Sequence, residues 1–194
     1  MAKAKPIVGL DVNDPILECA SLIIETRLGE MLNYEPFIED VDRVYELHQM
    51  RIAAKRLRYS MEIFQPLYAE YTGISKQFES ATDEVKALQE HLGEIHDADV
   101  LVPRLEEHLS RLLKPGHGHD DKGDLRTGVN LVDLDACQGV LSLCSQLRKE
   151  RASRYQLLLK DWSRLRKEEF FDGLVSMVRK AAETAVTAPA EAAV

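Results

Sequence analysis

Apolar positions recur every three to four residues along nearly the whole chain, and the every-second-residue alternation of a strand is absent. The pattern predicts an all-α fold, an antiparallel bundle of about five or six helices with a long C-terminal helix. Asp14-Pro15 marks the first helix start, with Asp as cap and Pro in the first helical position. That helix should reach about Asn33, where Tyr34-Glu35-Pro36 breaks it. A second is expected over about 40–65, ending before Pro66, and Gly73 marks the next turn. A third should run from about Ser75 to His91–Ile95, and Asp97 or Asp99 would cap a fourth reaching Leu113. The last and longest helix is expected over about 133–171, with a break near Gly139.

Between these elements, residues 114–130 (KPGHGHDDKGDLRTGVN) have the glycine-rich, polar composition of a mobile loop. Residues 1–13 form an N-terminal extension, 14–180 one helical domain, and the Ala-rich 181–194 a disordered tail. No apolar run exceeds three residues, so no membrane helix is expected. The start, AKAKPIVGLDVND, lacks an apolar stretch of leader length, and the three cysteines are too sparse for a disulfide framework. A cytoplasmic protein is the expectation. Cys19 and Cys144 fall on apolar faces, as buried thiols would.

Charge changes the picture. The chain carries 25 Lys and Arg against 33 Asp and Glu, a net charge of −8, which argues against a nucleic-acid partner. Yet residues 42–64 hold 5 basic and 3 acidic side chains, and residues 148–167 hold 8 basic and 2 acidic. An acidic protein with two such stretches can still turn a positive face to an anion.

In the first stretch Leu47, Met50, Ala53, Ala54, Leu57, Met61 and Phe64 share one helix face, the expected core stripe. His48, Arg51, Lys55 and Arg58 form a band about 80° wide along its edge, at the i, i+3, i+7, i+10 spacing that stacks side chains on a helix. Such a band either pairs with acids on neighbouring helices or meets an anion with repeated charges; periodicity leaves both open. In the second stretch Cys144, Leu147, Leu158, Trp162 and Leu165 define an apolar meridian, and Arg151 falls in its middle, with Arg148 and Arg154 nearby. A buried guanidinium is costly without a counter-charge, so Arg151 must find a carboxylate, solvent or an anion-filled groove. The two stretches are expected to line one basic groove. Trp162 and Tyr155 fall on the same meridian as core residues.

The stretch HQMRIAAKRLRYSMEIF (48–64), followed by LQEHLGEIHDADVL (88–101), resembles the CHAD domain, the conserved histidine α-helical domain. The matching residues are His48, Arg51, Lys55, Arg56, Leu57, Arg58 and Tyr59, then Leu88, Gln89, Leu92, Gly93 and Asp97. RKERASRYQLLLKDW (148–162) resembles the basic final helix of such domains more loosely. The resemblance implies a helical bundle that binds inorganic polyphosphate and is associated with polyphosphate granules. It places His48, Arg51, Lys55, Arg56 and Arg58 at the anion site, with Arg148, Arg151 and Arg154 as partners and Tyr59, Gln89 and Asp97 in support. Family members show the basic motif twice and this chain shows it once, so a homodimer would restore the second half.

No cofactor, metal or catalytic residue is expected. Walker, GxGxxG, HExxH and GxSxG motifs are absent. His117, His119, Asp120 and Asp121 lack the spacing of a defined metal site, and His91 and His96 fit a capping or supporting role better than ligation. Two other functions stay open: a phosphohydrolase or phosphotransfer protein using His48, and a helical adaptor for an acidic protein.

Overall fold

The computed structural model describes residues 4–70, 73–112 and 131–187. Among them the fold is all-α: α1 (Ile16–Leu32), a 3-10 turn (Glu35–Phe37), α2 (Val44–Ala69), α3 (Ser75–Leu112), α4 (Leu131–Lys167) and α5 (Phe170–Thr187). The chain divides into two compact units, Met1–Gly93 with Tyr155–Val194, and Glu94–Arg154.

In the first unit α1 packs against α2 and α5. Ala20, Ile24, Leu28 and Met31 of α1 face Met50, Ala54, Leu57 and Met61 of α2 in a core from which water is excluded. Phe78, Val85, Leu88 and Leu92 from the start of α3 are buried in the same unit, as are Leu158 and Leu165 of α4 and Phe171, Leu174 and Val178 of α5. The i, i+3, i+4, i+7 spacing that predicts helices is the spacing that buries one face of each. α3 and α4 run antiparallel here: Arg164 lies 2.6 Å from Glu84, and His91, further along α3, lies 3.0 Å from the earlier Asp161. The second unit shows the same sense, with Arg154 paired to Glu94, Arg151 to Asp99 and Arg148 to Glu106.

Several element boundaries differ from expectation, each for a physical reason. α1 starts at Ile16, and Asp14 does not cap it: its carboxylate accepts from the Asp11 N–H at 2.9 Å instead. α2 runs through Pro66 to Ala69. The lost hydrogen bond is offset by what the extra turn delivers, Tyr68, fully buried and stacked on Phe78 with ring centroids 4.0 Å apart. The third and fourth predicted helices are one. Gly93 costs only about 1 kcal/mol inside a helix, and Leu88 and Leu92 before it, Ile95 and Ala98 after it, are buried. Asp97 and Asp99 are therefore mid-helix rather than caps.

α4 passes Gly139 unbroken and stops at Lys167, four residues short of the expected end. Glu169 takes a left-handed φ of 52°, a corner that glycine usually occupies, and α5 begins beyond it. The long helix is thus followed by a shorter one, and the Ala-rich stretch is helical as far as Thr187. The expected loop 114–130, with its histidines and aspartates, and the rest of the tail, 188–194, lie outside the described residues.

Candidate functional site

The inner face of α2 is the predicted one: Leu47, Met50, Ala53, Ala54, Leu57 and Met61 are at most 3% exposed, and Phe64 is half-buried. Along one edge His48, Arg51 and Arg58 are half-buried and Lys55 is exposed, while half-buried Arg56 lies on the opposite flank of the core stripe. Each cation meets a different environment. Arg58 Nε lies 3.3 Å from Glu62 Oε1, one turn on. Its guanidinium also lies 4.8 Å from the centre of the Tyr59 ring, and Lys55 Nζ lies 5.5 Å from the same centre. Tyr59, 43% exposed, therefore gathers two cations by its electron-rich face. Arg56 Nη1 reaches 3.7 Å from Glu30, a carboxylate only 5% exposed that also takes Arg27 at 3.0 Å and the Lys5 backbone N–H.

Arg51 differs from the other arginines of α2 in lacking a carboxylate. No carboxylate among the described residues pairs with it, and its Nε is sealed from solvent without a hydrogen-bond partner. The other half-buried arginines, Arg27, Arg56, Arg58, Arg151, Arg154 and Arg164, each have a carboxylate. Arg51 instead lies over α3 at Gly93. The point where a Cβ of residue 93 would sit is 3.8 Å from Arg51 Nε and 3.7 Å from Gln89 Nε2, with no other neighbour within 4 Å. Gln89 and Gly93 share a helix face because they are one turn apart.

Arg148, Arg151 and Arg154 of the second basic stretch are compensated within their own unit. Arg151 Nε lies 2.5 Å from Asp99 Oδ1, the two side chains 18% and 11% exposed. Arg148 pairs with Glu106 and Arg154 with Glu94. Of the fates left open for Arg151, the carboxylate is the one observed. Asp97, expected in support, is exposed on α3. His91 ties α3 to α4 through Asp161, and since α3 continues past it, it caps nothing.

Tyr155 and Trp162 are buried as expected, donating to the Ile38 carbonyl at 2.9 Å and to Glu35 Oε1 at 3.1 Å. Cys137 and Cys144 are buried, whereas Cys19 is half-buried on the wall of a cavity of about 620 Å³ beside Leu10, Glu18, Glu25 and Arg179. None of the predicted site residues lines it. Among the described residues no group of three His, Cys, Asp or Glu is placed to hold a metal, and no helix is long and apolar enough to cross a membrane.

The shifted ionisations lie away from the α2 edge. Its hydrogen bond from Arg179 holds Glu25 below the usual carboxylate range, against the opposing effect of burial. Glu84 in the same way holds the Arg164 guanidinium in its charged form. Burial pushes the Tyr68 phenol well above its ordinary range, with the Glu25 charge adding to it.

Sequence reasoning missed the buried Glu30 junction and the contact of Arg51 with Gly93. The i, i+4 spacing of Gln89 and Gly93 was a signal for the second, since a glycine inside a helix leaves one face open to a neighbour.

Fold and site together define a class, an all-α protein with a cationic edge on one buried-faced helix. Residues 14–106 match the model of the CHAD domain. CHAD domains are associated with polyphosphate-related proteins. The match holds α1, α2 and every predicted site residue except Arg148, Arg151 and Arg154. No curated protein and no solved structure matches the chain.

Proposed function

We infer that the protein binds a linear polyanion, inorganic polyphosphate, through the edge of α2, without catalysing its turnover. The observation that carries this reading is Arg51. In a chain with 33 acids against 25 bases, a half-buried guanidinium left without a carboxylate is a cost that an anion would relieve. His48, Lys55 and Arg58 flank it at helical spacing and supply further contacts to a repeating anion, and Arg56 lies on the other flank beside Glu30. Charge-assisted hydrogen bonds contribute about 1.5–3 kcal/mol each when well formed, and counterion release adds to them. Arg148, Arg151 and Arg154 form a second cationic stretch, which a polyphosphate takes only by displacing Glu106, Asp99 and Glu94.

The test is polyphosphate binding measured over a range of salt, for wild type and for the triple variant Arg51→Ala, Lys55→Ala, Arg58→Ala. Wild type should bind with log affinity falling linearly in log salt, and the triple variant should bind more weakly with a shallower slope. A triple variant with a native circular dichroism spectrum and unchanged affinity overturns the assignment. Release of phosphate from tripolyphosphate with added magnesium, lost in His48→Gln, would make the protein an enzyme instead.

A further inference from the structure

The cavity of about 620 Å³ has three walls: α1, α5 and the N-terminal segment at Gly9 and Leu10. Its volume falls among those of small-molecule sites, about 300–1,000 Å³. The N-terminal wall is anchored on both sides. Lys5 is held by its N–H to Glu30 and by its carbonyl to Arg27. Asp11 and Asp14 close a turn on each other, the Asp11 N–H donating to the Asp14 carboxylate at 2.9 Å and the Asp14 N–H to the Asp11 carbonyl at 3.2 Å. Between these anchors Gly9, at a left-handed φ of 91°, brings the backbone up to Leu22 of α1.

The walls are apolar in body and acidic in charge. Leu10, Leu22 and Ala182 supply apolar surface, and Leu10 is 43% exposed, so that surface is open to an occupant. Four carboxylates, of Asp14, Glu18, Glu25 and Glu183, line the same space against one guanidinium, that of Arg179, a surplus of three negative charges. Arg179 is spent on Glu25, with Nε 2.8 Å from Oε1, and the same oxygen accepts from the Ser21 hydroxyl at 3.1 Å. Such walls repel a polyphosphate. Nor do they suit a bare metal ion, since among the described residues no three of these acids converge to hold one. Spread negative charge around apolar surface fits a cation whose charges are themselves spread along an apolar stem.

We propose that this cavity binds a linear aliphatic diamine or polyamine. Its methylene groups lie against Leu10, Leu22 and Ala182, and its ammonium groups donate to the carboxylates of Asp14, Glu18 and Glu183. The site is separate from the α2 edge and does not depend on the polyanion reading.

Titration calorimetry on the full chain tests it with α,ω-diaminoalkanes from propane to octane. Burial of each methylene group is worth about three- to four-fold in affinity, so affinity should climb with chain length until the cavity is filled. Magnesium ion, with the same charge and no stem, and octanediol, with the stem and no charge, should each bind at least about ten-fold more weakly than diaminooctane. Half-buried Cys19, on the cavity wall, locates the ligand: diaminooctane should slow its alkylation by a maleimide, while Cys137 and Cys144 are buried. Glu18→Gln should weaken binding several-fold, and Cys19→Phe, which puts a ring into the space without changing charge, should abolish it. Glu18 is exposed, so Glu18→Gln keeps the test if Cys19→Phe does not fold. Affinity that ignores chain length, or equals that of magnesium, assigns binding to the net charge of the surface and overturns the site. Alkylation of Cys19 unaffected by diaminooctane, or Glu18→Gln binding as tightly as wild type, overturns it too, and octanediol binding as tightly as the diamine refutes the role of the carboxylates.

Discussion

Replacing Tyr68 by Phe should make the protein more stable, and increasingly so in alkali. The side chain is fully buried, its ring lies against Phe78 at 4.0 Å and 14° from parallel, and its hydroxyl has no hydrogen-bond partner among the described residues. A buried hydroxyl without a partner costs about 1–3 kcal/mol, and Phe keeps the ring contacts while removing that cost. The expected gain is therefore about 1–2 kcal/mol at pH 7. In a protein of this size each kcal/mol raises the melting temperature by about 2–4 °C.

The pH dependence follows from the raised phenol ionisation. Below the ordinary tyrosine value of 10.0, Tyr68 is neutral in both states and this contribution to stability is fully present. As pH rises past that value the unfolded chain releases the proton and the folded one does not, so stability is lost. Denaturant titrations of both proteins at pH 7, 9 and about 11 measure it, the pH values being set around the ordinary phenol value. The remaining tyrosines titrate in both proteins and largely cancel in the difference. A Tyr68→Phe variant less stable than wild type by about 1 kcal/mol or more would mean the hydroxyl makes a net favourable bond. A difference that stays constant between pH 7 and about 11 would refute the buried-phenol argument.

Asp99→Asn should cost about 2 kcal/mol, since Arg151, 18% exposed, loses its carboxylate, and should strengthen polyphosphate binding by removing a competitor for that arginine; chemical denaturation and calorimetry check the pair. Glu25 is held below its ordinary value of 4.5, so it contributes stability above that pH and loses it as pH falls through the lowered value; Glu25→Gln should flatten the acid limb of a stability profile below about pH 4.5. Polyphosphate binding should take up a proton near pH 6–7, around the ordinary histidine value of about 6.5, because a polyanion favours the charged form of His48. Calorimetry in two buffers of different ionisation enthalpy should show that uptake in wild type and not in His48→Gln; equal uptake in both assigns it elsewhere.

What could be read from the chain alone was set by local periodicity. The core face of α2 and the burial of Tyr155 and Trp162 follow from 3.6-residue spacing and need no tertiary knowledge. Helix ends were less legible because they depend on partners far along the chain. Pro66 lies inside α2 because Tyr68 meets Phe78, and α3 passes Gly93 because residues on both sides are buried. At the candidate site the cationic band was visible, but not which cations are already neutralised. Arg56 and Arg151 have Glu30 and Asp99 opposite them and Arg51 has no carboxylate among the described residues, a difference that helix packing creates.

Glu30 joins three pieces of chain at one buried carboxylate: the N-terminal segment through the Lys5 N–H, α1 through Arg27, and α2 through Arg56. Arg27 also donates to the Lys5 carbonyl at 3.0 Å, so the Lys5 backbone is held on both sides, 25 residues from Glu30 and outside any helix. Exchange of its amide proton with deuterated solvent is thereby slowed by the same carboxylate that Arg56 approaches on α2. One amide, near the chain's beginning, reports in isotope-exchange time how long the N-terminal segment stays docked on α1.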